Sequence, residues 1–494
     1  MFKFLTEAQL LGLSTTASRV LGIIYLINFL IALAIIFREH KNPNATLAWL
    51  MVLYTLPGVG LVLYVILSQN IARQKIFQMT RSEEKRIRVA LRSQIDEMED
   101  GSYEYINEEE KRWQPLISLN QRYAGAFLSQ ENDVKIYTDG KDYFRDLFYA
   151  LEDAKKTINI DFFILKPDEI GQKFLNILTK KAKEGVEVRL LLDSFGSRLV
   201  PRSRFKSLQE AGGKVAFFFP IRLFRINPNI NYRNHRKIAV IDHEIGFTGG
   251  SNIALEYTGR SEKFGGWRDT NLRLLGPCVE DLESRFLLDW RYVAKEDYEV
   301  ASKVYYRNVD KGDVGVQIVS CGPDAERTEI KQSYLKMING ARRSICIQTP
   351  YFIPDDSIFE ALKSAALSGI DVRLMIPNQP DHPFVYWVTY YNCGHLLDSG
   401  VKVYIYNKGF LHAKTIVVDS EVSSVGSANF DGRSFRLNFE CNAVMYDKKT
   451  ASQLEAAFDK DVKDSVELTG TRYGQRPMRI RFKESISRLI SDIL

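Results

Sequence analysis

The sequence predicts an α/β protein built from two similar halves, each a mixed sheet flanked by helices, preceded by an N-terminal hairpin of two transmembrane helices. Three observations support this prediction: two long apolar runs near the N-terminus, strand-like segments that alternate with helix-like ones, and a histidine-containing motif that occurs twice. With 494 residues, of which 45% are hydrophobic and 26% charged, the chain is long enough for two or three globular domains.

The N-terminal region carries two apolar runs that are long enough to cross a bilayer as helices. They cover about residues 20–37 and 46–67, and a short polar turn separates them. Six cationic residues lie within residues 73–88, whereas the turn carries only Arg38 and Lys41. The positive-inside rule therefore predicts a multi-pass anchor in the cell membrane, with the rest of the chain on the cytoplasmic side. A pair of buried core helices is the alternative.

The rest of the chain divides into a charged helical connector near the membrane, a first half, a polar join and a second half. The expected boundaries, after a hairpin at residues 1–69, are residues 70–130, 131–295, 296–313 and 314–494. Strand-like segments that begin at Ile158 and Val186 in the first half have counterparts that begin at Ile345 and Ile370 in the second. Strands that alternate with helices predict a parallel or mixed sheet with helices on both faces.

The net charge and the cysteines of the chain indicate its class of partner and its compartment. The net charge of +6 and the pI near 8.8 suit an anionic partner, either a membrane surface or a nucleic acid. The five cysteines are scattered without a C-x-x-C pair, so neither a zinc site nor a disulfide framework is indicated.

From Phe482 onward the apolar residues follow helical spacing, which predicts a C-terminal amphipathic helix. This helix either docks on a membrane surface or packs on its own domain.

The repeated motif is the most informative feature. Each copy has a His, a Lys two residues later, an Asp five residues after that, and a turn of small residues ending in Asn. The first copy contains His235, Lys237, Asp242, Ser251 and Asn252; the second contains His412, Lys414, Asp419, Ser427 and Asn429. The chain has only six histidines, so two of them in the same frame indicate a duplicated functional element.

These residue types suit phosphoryl transfer. One imidazole can attack phosphorus while the other protonates the leaving oxygen and later deprotonates the acceptor. The lysines can neutralise phosphate oxygens, and the serines and asparagines of the turns can donate hydrogen bonds to substrate. Residues 237–241 and 414–418 are apolar and β-branched, which predicts that a strand follows each histidine.

The motif aspartates, Asp242 and Asp419, belong to the candidate catalytic set, but strand geometry argues for a structural role. Each lies seven positions after its histidine, and successive side chains of a strand alternate between the two faces. A continued strand would therefore turn each aspartate away from its histidine. We expect both to pair with a charge or to cap a turn.

The paired H-x-K-x4-D-x6-G-x-x-N pattern resembles the phospholipase D superfamily. The two apolar runs, together with residues 44–50, 267–270 and 433–440, resemble its bacterial cardiolipin synthase branch, and the likeness covers nearly the whole chain. The resemblance implies that both motifs meet in one site between the halves. It further implies that Asp269 and Glu440 orient the catalytic histidines, and that no metal or other cofactor is needed.

The resemblance implies a membrane-bound phosphatidyltransferase that joins two phosphatidylglycerol molecules into cardiolipin and glycerol through a phosphatidyl-histidine. His235 is expected to be the nucleophile and His412 the acid and base, with the opposite assignment open. A phospholipase D-type hydrolase that releases phosphatidic acid is the first alternative, and a non-catalytic membrane lipid-binding protein is the second. A nuclease is disfavoured by the membrane runs, so no nucleic-acid partner is expected. A homo-oligomer is compatible with the sequence.

Overall fold

The computed structural model describes residues 15–38, 43–56, 58–67, 76–77, 79–220, 231–260, 263–296, 312–325, 327–379 and 381–490. Its helices, numbered here in chain order, are α1 (Thr15–Arg38), α2 (Pro43–Thr55), α3 (Val59–Leu67), α4 (Arg81–Asp100), α5 (Glu108–Arg112), α6 (Gln114–Ala124), α7 (Gly140–Asp153), α8 (Glu169–Lys183), α9 (Lys206–Glu210), α10 (Cys278–Ala294), α11 (Glu329–Gly340), α12 (Asp356–Leu367), α13 (Pro383–Leu396), α14 (Gly432–Arg436), α15 (Lys448–Lys463), α16 (Gly470–Gly474) and α17 (Met478–Ile490). Short 3₁₀ helices cover Arg202–Phe205, Leu255–Thr258 and Leu397–Ser399.

The strands alternate with these helices along the chain. They are β1 (Ser129–Tyr137), β2 (Thr157–Phe162), β3 (Glu187–Asp193), β4 (Lys214–Phe218), β5 (Arg233–Asn234), β6 (Lys237–Ile241), β7 (Ile245–Gly249), β8 (Trp267–Arg268), β9 (Asn271–Leu275), β10 (Val314–Cys321), β11 (Ser344–Gln348), β12 (Phe352–Ile353), β13 (Asp371–Pro377), β14 (Lys402–Tyr406), β15 (Phe410–Leu411), β16 (Thr415–Val418), β17 (Val422–Gly426), β18 (Phe430–Asp431), β19 (Asn438–Tyr446) and β20 (Ser465–Leu468).

One mixed sheet runs through both halves. Its order is β20-β14-β13-β11-β16-β17-β19-β10-β1-β9-β7-β6-β2-β3-β4, and β5 pairs with β19. The first-half order β1-β9-β7-β6-β2-β3-β4 is repeated in the second half as β10-β19-β17-β16-β11-β13-β14, so the halves are structural duplicates. The first strands of the two halves, β1 and β10, pair antiparallel and join the halves edge to edge. The prediction of a mixed sheet in two similar halves is confirmed.

The buried residues fall on the two faces of this sheet. Along β6, Ile238 and Val240 belong to a core shared by both halves, whereas Ala239 and Ile241 belong to a core of the first half alone. Helices α10 and α15 contribute to the shared core, and helices α6, α7, α8, α11, α12 and α13 contribute to the cores on the opposite face. The strand that follows each motif histidine is therefore buried on both sides, which fixes its position.

The connector is helical and docks on the second half. Trp113, Leu116 and Ile117 belong to the core that covers the outer face of the second half. Arg112 forms an ion pair with Asp419 (2.6 Å). The segment before the first half is thus a packed part of the globular region.

The N-terminal helices pack on one another through a buried polar contact. The side-chain amide of Asn28 on α1 donates to the backbone carbonyl of Leu53 on α2 (3.2 Å). The second apolar run forms two helices, α2 and α3, and Gly58 between them adopts a left-handed φ of 85°. Taken over the described residues alone, no helix combines the length and apolar character required of a membrane span. Residues 39–42 of the hairpin turn and residues 297–311 of the join lie outside the described residues.

The motif aspartates close left-handed turns at the ends of their strands. Asp242 and Asp419 have φ values of 54° and 57°, and the next residue is also left-handed in each case. The Asp242 carboxylate accepts three backbone N–H bonds from residues 155–157, at 2.6–2.9 Å. Asp419 accepts equivalent bonds from residues 342–344 and pairs with Arg112. The chain leaves the strand at each aspartate. The turn, more than the alternation of side chains along the strand, therefore places each carboxylate against these N–H groups.

We predict that Asp419→Asn lowers the free energy of unfolding by about 1–3 kcal/mol, because a neutral amide cannot accept all these hydrogen bonds or pair with Arg112. These contacts hold the pKa of Asp419 below its usual value despite burial. Its stabilisation is therefore present at neutral pH and declines as the pH falls below 3.8. Asp242→Asn should cost less, and the exposed Asp153→Asn should cost almost nothing. Thermal unfolding of the three variants tests this; a stable but inactive Asp242→Asn protein would contradict the structural role.

Candidate active site

Two short backbone pairings bring the motifs of the two halves together. Strand β5, just before His235, pairs in parallel with the start of β19, and the His235 N–H donates to the Phe439 carbonyl (2.9 Å). Strand β15, just before His412, pairs in parallel with β8, and the His412 N–H donates to the Arg268 carbonyl (2.7 Å). Each histidine is therefore held against the opposite half of the chain.

The imidazole of His235 pairs with a carboxylate of the second half. Its Nδ1 lies 2.9 and 3.0 Å from the two oxygens of Glu440. Glu440 is fully buried and also accepts hydrogen bonds from the Ser434 hydroxyl (2.9 Å) and the Asn438 amide (3.2 Å). Burial opposes ionisation of Glu440, but His235, Lys237 and a hydrogen bond from Ser427 hold its pKa below the usual value. Nδ1–H thus donates to an anion, and Nε2 is left for chemistry.

The imidazole of His412 pairs in the same way with a carboxylate of the first half. Its Nδ1 lies 2.7 Å from Asp269, which also accepts the Thr270 N–H (2.8 Å). Burial opposes ionisation of Asp269, but His412 and Lys414 hold its pKa below the usual value. The two halves therefore exchange carboxylates, and neither half orients its own histidine.

The motif lysines lie beside these pairs. Each ammonium donates to the carbonyl of the histidine two residues earlier, at 2.6 Å for both Lys237 and Lys414. Burial lowers the pKa of Lys237 to about 7 and that of Lys414 to about 8, although Glu440 and Asp269 favour the charged forms. An anionic phosphate in the site would restore both charges.

Charged groups from both halves act on the two motif histidines. Burial lowers the pKa of both imidazoles, and each is lowered further by the lysine of the opposite half. For His412 the pKa falls to about 4, with Lys414 the strongest charge acting on it. At His235 the strongest charge is Glu440, which opposes the effect of burial. His412 is therefore neutral in the empty site, and as an acid it would require the substrate anion to raise its pKa.

The two motif asparagines differ in their contacts. The Asn252 side chain is fully engaged, because its oxygen accepts the Ile164 N–H (3.1 Å) and its nitrogen donates to the Tyr257 hydroxyl (2.7 Å). The side-chain oxygen of Asn429 is buried and has no hydrogen-bond partner in the described part of the chain. This oxygen can only accept a hydrogen bond, so it suits a substrate hydroxyl, and the predicted role of Asn429 in donating to phosphate stays a prediction.

The motif serines are fully buried and bonded within the protein. The Ser251 hydroxyl accepts from the Asn271 amide (2.8 Å), and the Ser427 hydroxyl accepts the Cys441 N–H (3.0 Å). Their contacts support the turns that carry Asn252 and Asn429. Their predicted role in binding substrate stays a prediction.

Aromatic residues that sequence reasoning missed complete the site. The ring of Phe163 lies 5.0 Å from that of His235, and the rings of Trp267 and Tyr257 lie 5.2 and 5.7 Å from that of His412. No periodicity marks these positions, although Phe163 lies in the strand-like segment that begins at Ile158 and Trp267 lies in the segment 267–270 that carries the resemblance. They exclude water around the imidazoles and contribute to the burial that lowers the histidine pKa values. Among the described residues, no cluster of three or more His, Cys, Asp or Glu could hold a metal ion.

Comparisons with known proteins agree with this geometry. Residues 147–262 and 334–462 match the family model described as cardiolipin synthase, PLD-like domain, and residues 26–69 match a phospholipase D-nuclease N-terminal model. The chain is 46% identical to a cardiolipin synthase of Oceanobacillus iheyensis, over 97% of this chain and 99% of the relative. It is 45% identical to the major cardiolipin synthase ClsA of Bacillus subtilis, over 97% and 99%.

A solved structure supports the fold. The crystal structure of phosphatidylserine synthase from Haemophilus influenzae superimposes with a TM-score of 0.57 and 16% identity, covering 78% of this chain and all of that one. The sequence relatives, matched over nearly their full length, identify the family. With two complete motifs and a near-symmetric site between two duplicated halves, the chain belongs to the bacterial cardiolipin synthases of the phospholipase D superfamily.

Proposed function

We propose that this protein is a membrane-bound phosphatidyltransferase that converts two phosphatidylglycerol molecules into cardiolipin and glycerol. The observation that carries the proposal is the exchange of carboxylates between the halves, which gives one site two oriented imidazoles and two lysines. That set provides a nucleophile, a proton carrier and neutralisation of the phosphate charge. Relatives at 45–46% identity carry the name cardiolipin synthase.

In the first step, Nε2 of His235 attacks the phosphorus of one phosphatidylglycerol. The bond from phosphorus to the glycerol oxygen breaks, and Nε2–H of His412 protonates that oxygen as glycerol leaves. Lys237 and Lys414 neutralise the phosphate oxygens, and the side chain of Asn429 binds them in the transition state. The product is a phosphatidyl-histidine, with Glu440 holding the substituted imidazole in position.

In the second step, a terminal hydroxyl of a second phosphatidylglycerol replaces the glycerol that left. His412, now neutral, takes the hydroxyl proton while the oxygen attacks phosphorus, and the bond from phosphorus to His235 breaks. Both imidazoles return to their starting protonation states. Two phosphodiesters enter and two phosphodiesters leave in one molecule of cardiolipin, so the exchange needs no external energy source.

Hydrolysis uses the same intermediate with water as acceptor and releases phosphatidic acid. The aromatic residues around the histidines disfavour that outcome because they exclude water from the imidazoles. The non-catalytic alternative is disfavoured because every motif residue is present and the histidine–carboxylate pairs are intact.

The anchor is proposed as a membrane hairpin at residues 1–69, with both halves on the cytoplasmic side. Support comes from α1, which is 24 residues long, and from apolar side chains exposed along these helices, such as Ile23, Phe29 and Met51. Lipid tails would cover this surface, which a soluble protein would not expose. The match of residues 26–69 to an N-terminal family model agrees with this placement.

The first test is conversion of phosphatidylglycerol by detergent-purified protein in the presence of chelator. Cardiolipin and glycerol should form in equal amounts, as resolved by mass spectrometry. Because the two histidines serve one site, His235→Ala and His412→Ala should each lower turnover by at least about 10²-fold. Phosphatidic acid as the only product would support the hydrolase, and half-activity in either variant would contradict a single shared site.

A second prediction assigns the histidine roles. A phosphatidyl nitrophenyl ester has a leaving group that needs no protonation, so it should bypass the general acid. His412→Ala should therefore release about one nitrophenolate per protein and carry a phosphatidyl group on His235, whereas His235→Ala should release none. Acid-quenched peptide mapping locates the label. A label on His412 in the His235→Ala protein would reverse the roles.

A third prediction concerns pH. Because Lys237 and Lys414 have pKa values lowered to about 7 and about 8, they lose their charge as the pH rises through this range. We expect kcat/KM for phosphatidylglycerol, which reports the free enzyme, to decline across it. Lys402→Met, which removes a lysine that pairs with Asp371 at the start of β14, should leave the profile unchanged. A flat profile well above both pKa values would contradict the role of the lysines.

A further inference from the structure

The C-terminal helix α17 faces the protein with its polar side. Glu484 and Ser487 are each only 1% exposed, and the Glu484 carboxylate pairs with Arg476 at 3.0 Å. A surface helix normally buries its apolar stripe and exposes its charges. Among the α17 side chains that the structure describes, the two most buried are therefore polar.

The opposite side of α17 carries an exposed apolar stripe. Met478, Phe482 and Ile486 are spaced four residues apart, so they lie along one side of the helix. Their side chains are 75%, 68% and 41% exposed. Apart from the exposed side chains of the N-terminal helices, this is a large apolar surface for one short helix to leave exposed. Exposed apolar stripes of this kind mark interaction sites.

Cationic residues flank the stripe on both sides. With 100° between successive helical residues, Arg479 and Lys483 follow the stripe on one side, and Arg481 and Arg488 follow it on the other. Two of them rest on aromatic rings of α13: Lys483 lies 5.0 Å from the Trp387 ring centre, and Arg488 lies 5.3 Å from that of Tyr391. An apolar stripe between two rows of cations is the pattern of a helix lying in an anionic membrane interface.

Helix α17 packs along α13, which connects this surface to the active site. Just before α13, the carboxylate of Asp381 accepts a hydrogen bond from the Tyr351 hydroxyl, and its charge partly opposes the lowering of the Lys414 pKa by burial. Phe384, in the first turn of α13, is exposed. The stripe and the rim of the site are thus carried by neighbouring elements of the second half.

We infer that α17 lies in the membrane interface, with Met478, Phe482 and Ile486 among the lipid chains and its cations at anionic headgroups. This inference depends on the proposed function in one respect, the purpose of the membrane contact. That purpose is to hold the rim of the active site against the bilayer that contains both lipid substrates. The occupant is the lipid surface, because the flanking cations complement anionic lipid and a protein partner would need matching carboxylates.

The test uses full-length protein reconstituted in phosphatidylglycerol vesicles with an environment-sensitive fluorophore at Phe482→Cys. The five native cysteines are buried, so labelling is selective. The probe should shift to the blue and be quenched by lipids brominated on their acyl chains. A probe at Lys180→Cys, on an exposed position of α8, should do neither. Adding Arg481→Gln should lower the ratio of docked to free helix about fivefold, since each interfacial cation adds about 1 kcal/mol.

Two outcomes would overturn the inference. A Phe482→Cys probe that is unquenched in vesicles and behaves like the Lys180→Cys probe would mean that water covers the stripe. A probe already shielded in detergent, and exposed on dilution, would mean that a second copy of the chain covers it. Neither readout requires turnover, so bromolipid quenching in a protein that makes no cardiolipin would overturn the proposed function and leave this inference intact.

The purpose of the contact has its own readout. Phe482→Ser combined with Ile486→Ser should raise the apparent KM for phosphatidylglycerol in vesicles and leave turnover in detergent micelles unchanged, because micelles bring lipid to the site without docking. Lys180→Gln, which removes an exposed cation of α8 in the first half, is the matched control and should change neither value. Equal loss in vesicles and micelles would indicate a folding defect and would contradict a docking role.

Discussion

The exchange of carboxylates between the halves is the interaction on which the rest of the site depends. Glu440 fixes His235 and Asp269 fixes His412, and each pair is reinforced by a parallel backbone contact beside it. Without its imidazole each buried carboxylate would lose a hydrogen-bond donor, and without its carboxylate each imidazole would lose the acceptor that orients its Nδ1–H. The halves therefore have to be assembled before either histidine is correctly oriented, and assembly completes the chemistry.

Burial gives the site its reactivity. The same desolvation that lowers the pKa of both lysines and both histidines favours binding of an anion, because a bound phosphate stabilises the charged forms of the two lysines and of His412. The bound substrate thus supplies negative charge that the empty site lacks. A site arranged in this way strengthens its contacts as negative charge develops in the transition state.

Local features could be predicted from the sequence, and features that require two distant segments could not. The motif spacing identified both histidines and lysines, and the apolar β-branched run after His235 identified β6 at its observed bounds. The partners Glu440 and Asp269 were found only through resemblance, because their exchange between halves depends on topology. No sequence pattern identifies Tyr257, whose hydroxyl accepts a hydrogen bond from the side-chain amide of Asn252. Spacing also showed that α17 is amphipathic, but the side that packs is decided by the Arg476–Glu484 pair.

The repeated strand order has a consequence for ancestry and engineering. A half-length chain would contain one motif histidine, one motif lysine and one of the two orienting carboxylates. That carboxylate would pair with the imidazole of a partner chain. Such a chain could assemble this site only as a dimer with twofold symmetry, since each copy must give and receive the same contact. In the full chain, covalent fusion replaces that association. The two halves are thereby free to diverge, so that one can specialise for the lipid that donates its phosphatidyl group and the other for the lipid that accepts it.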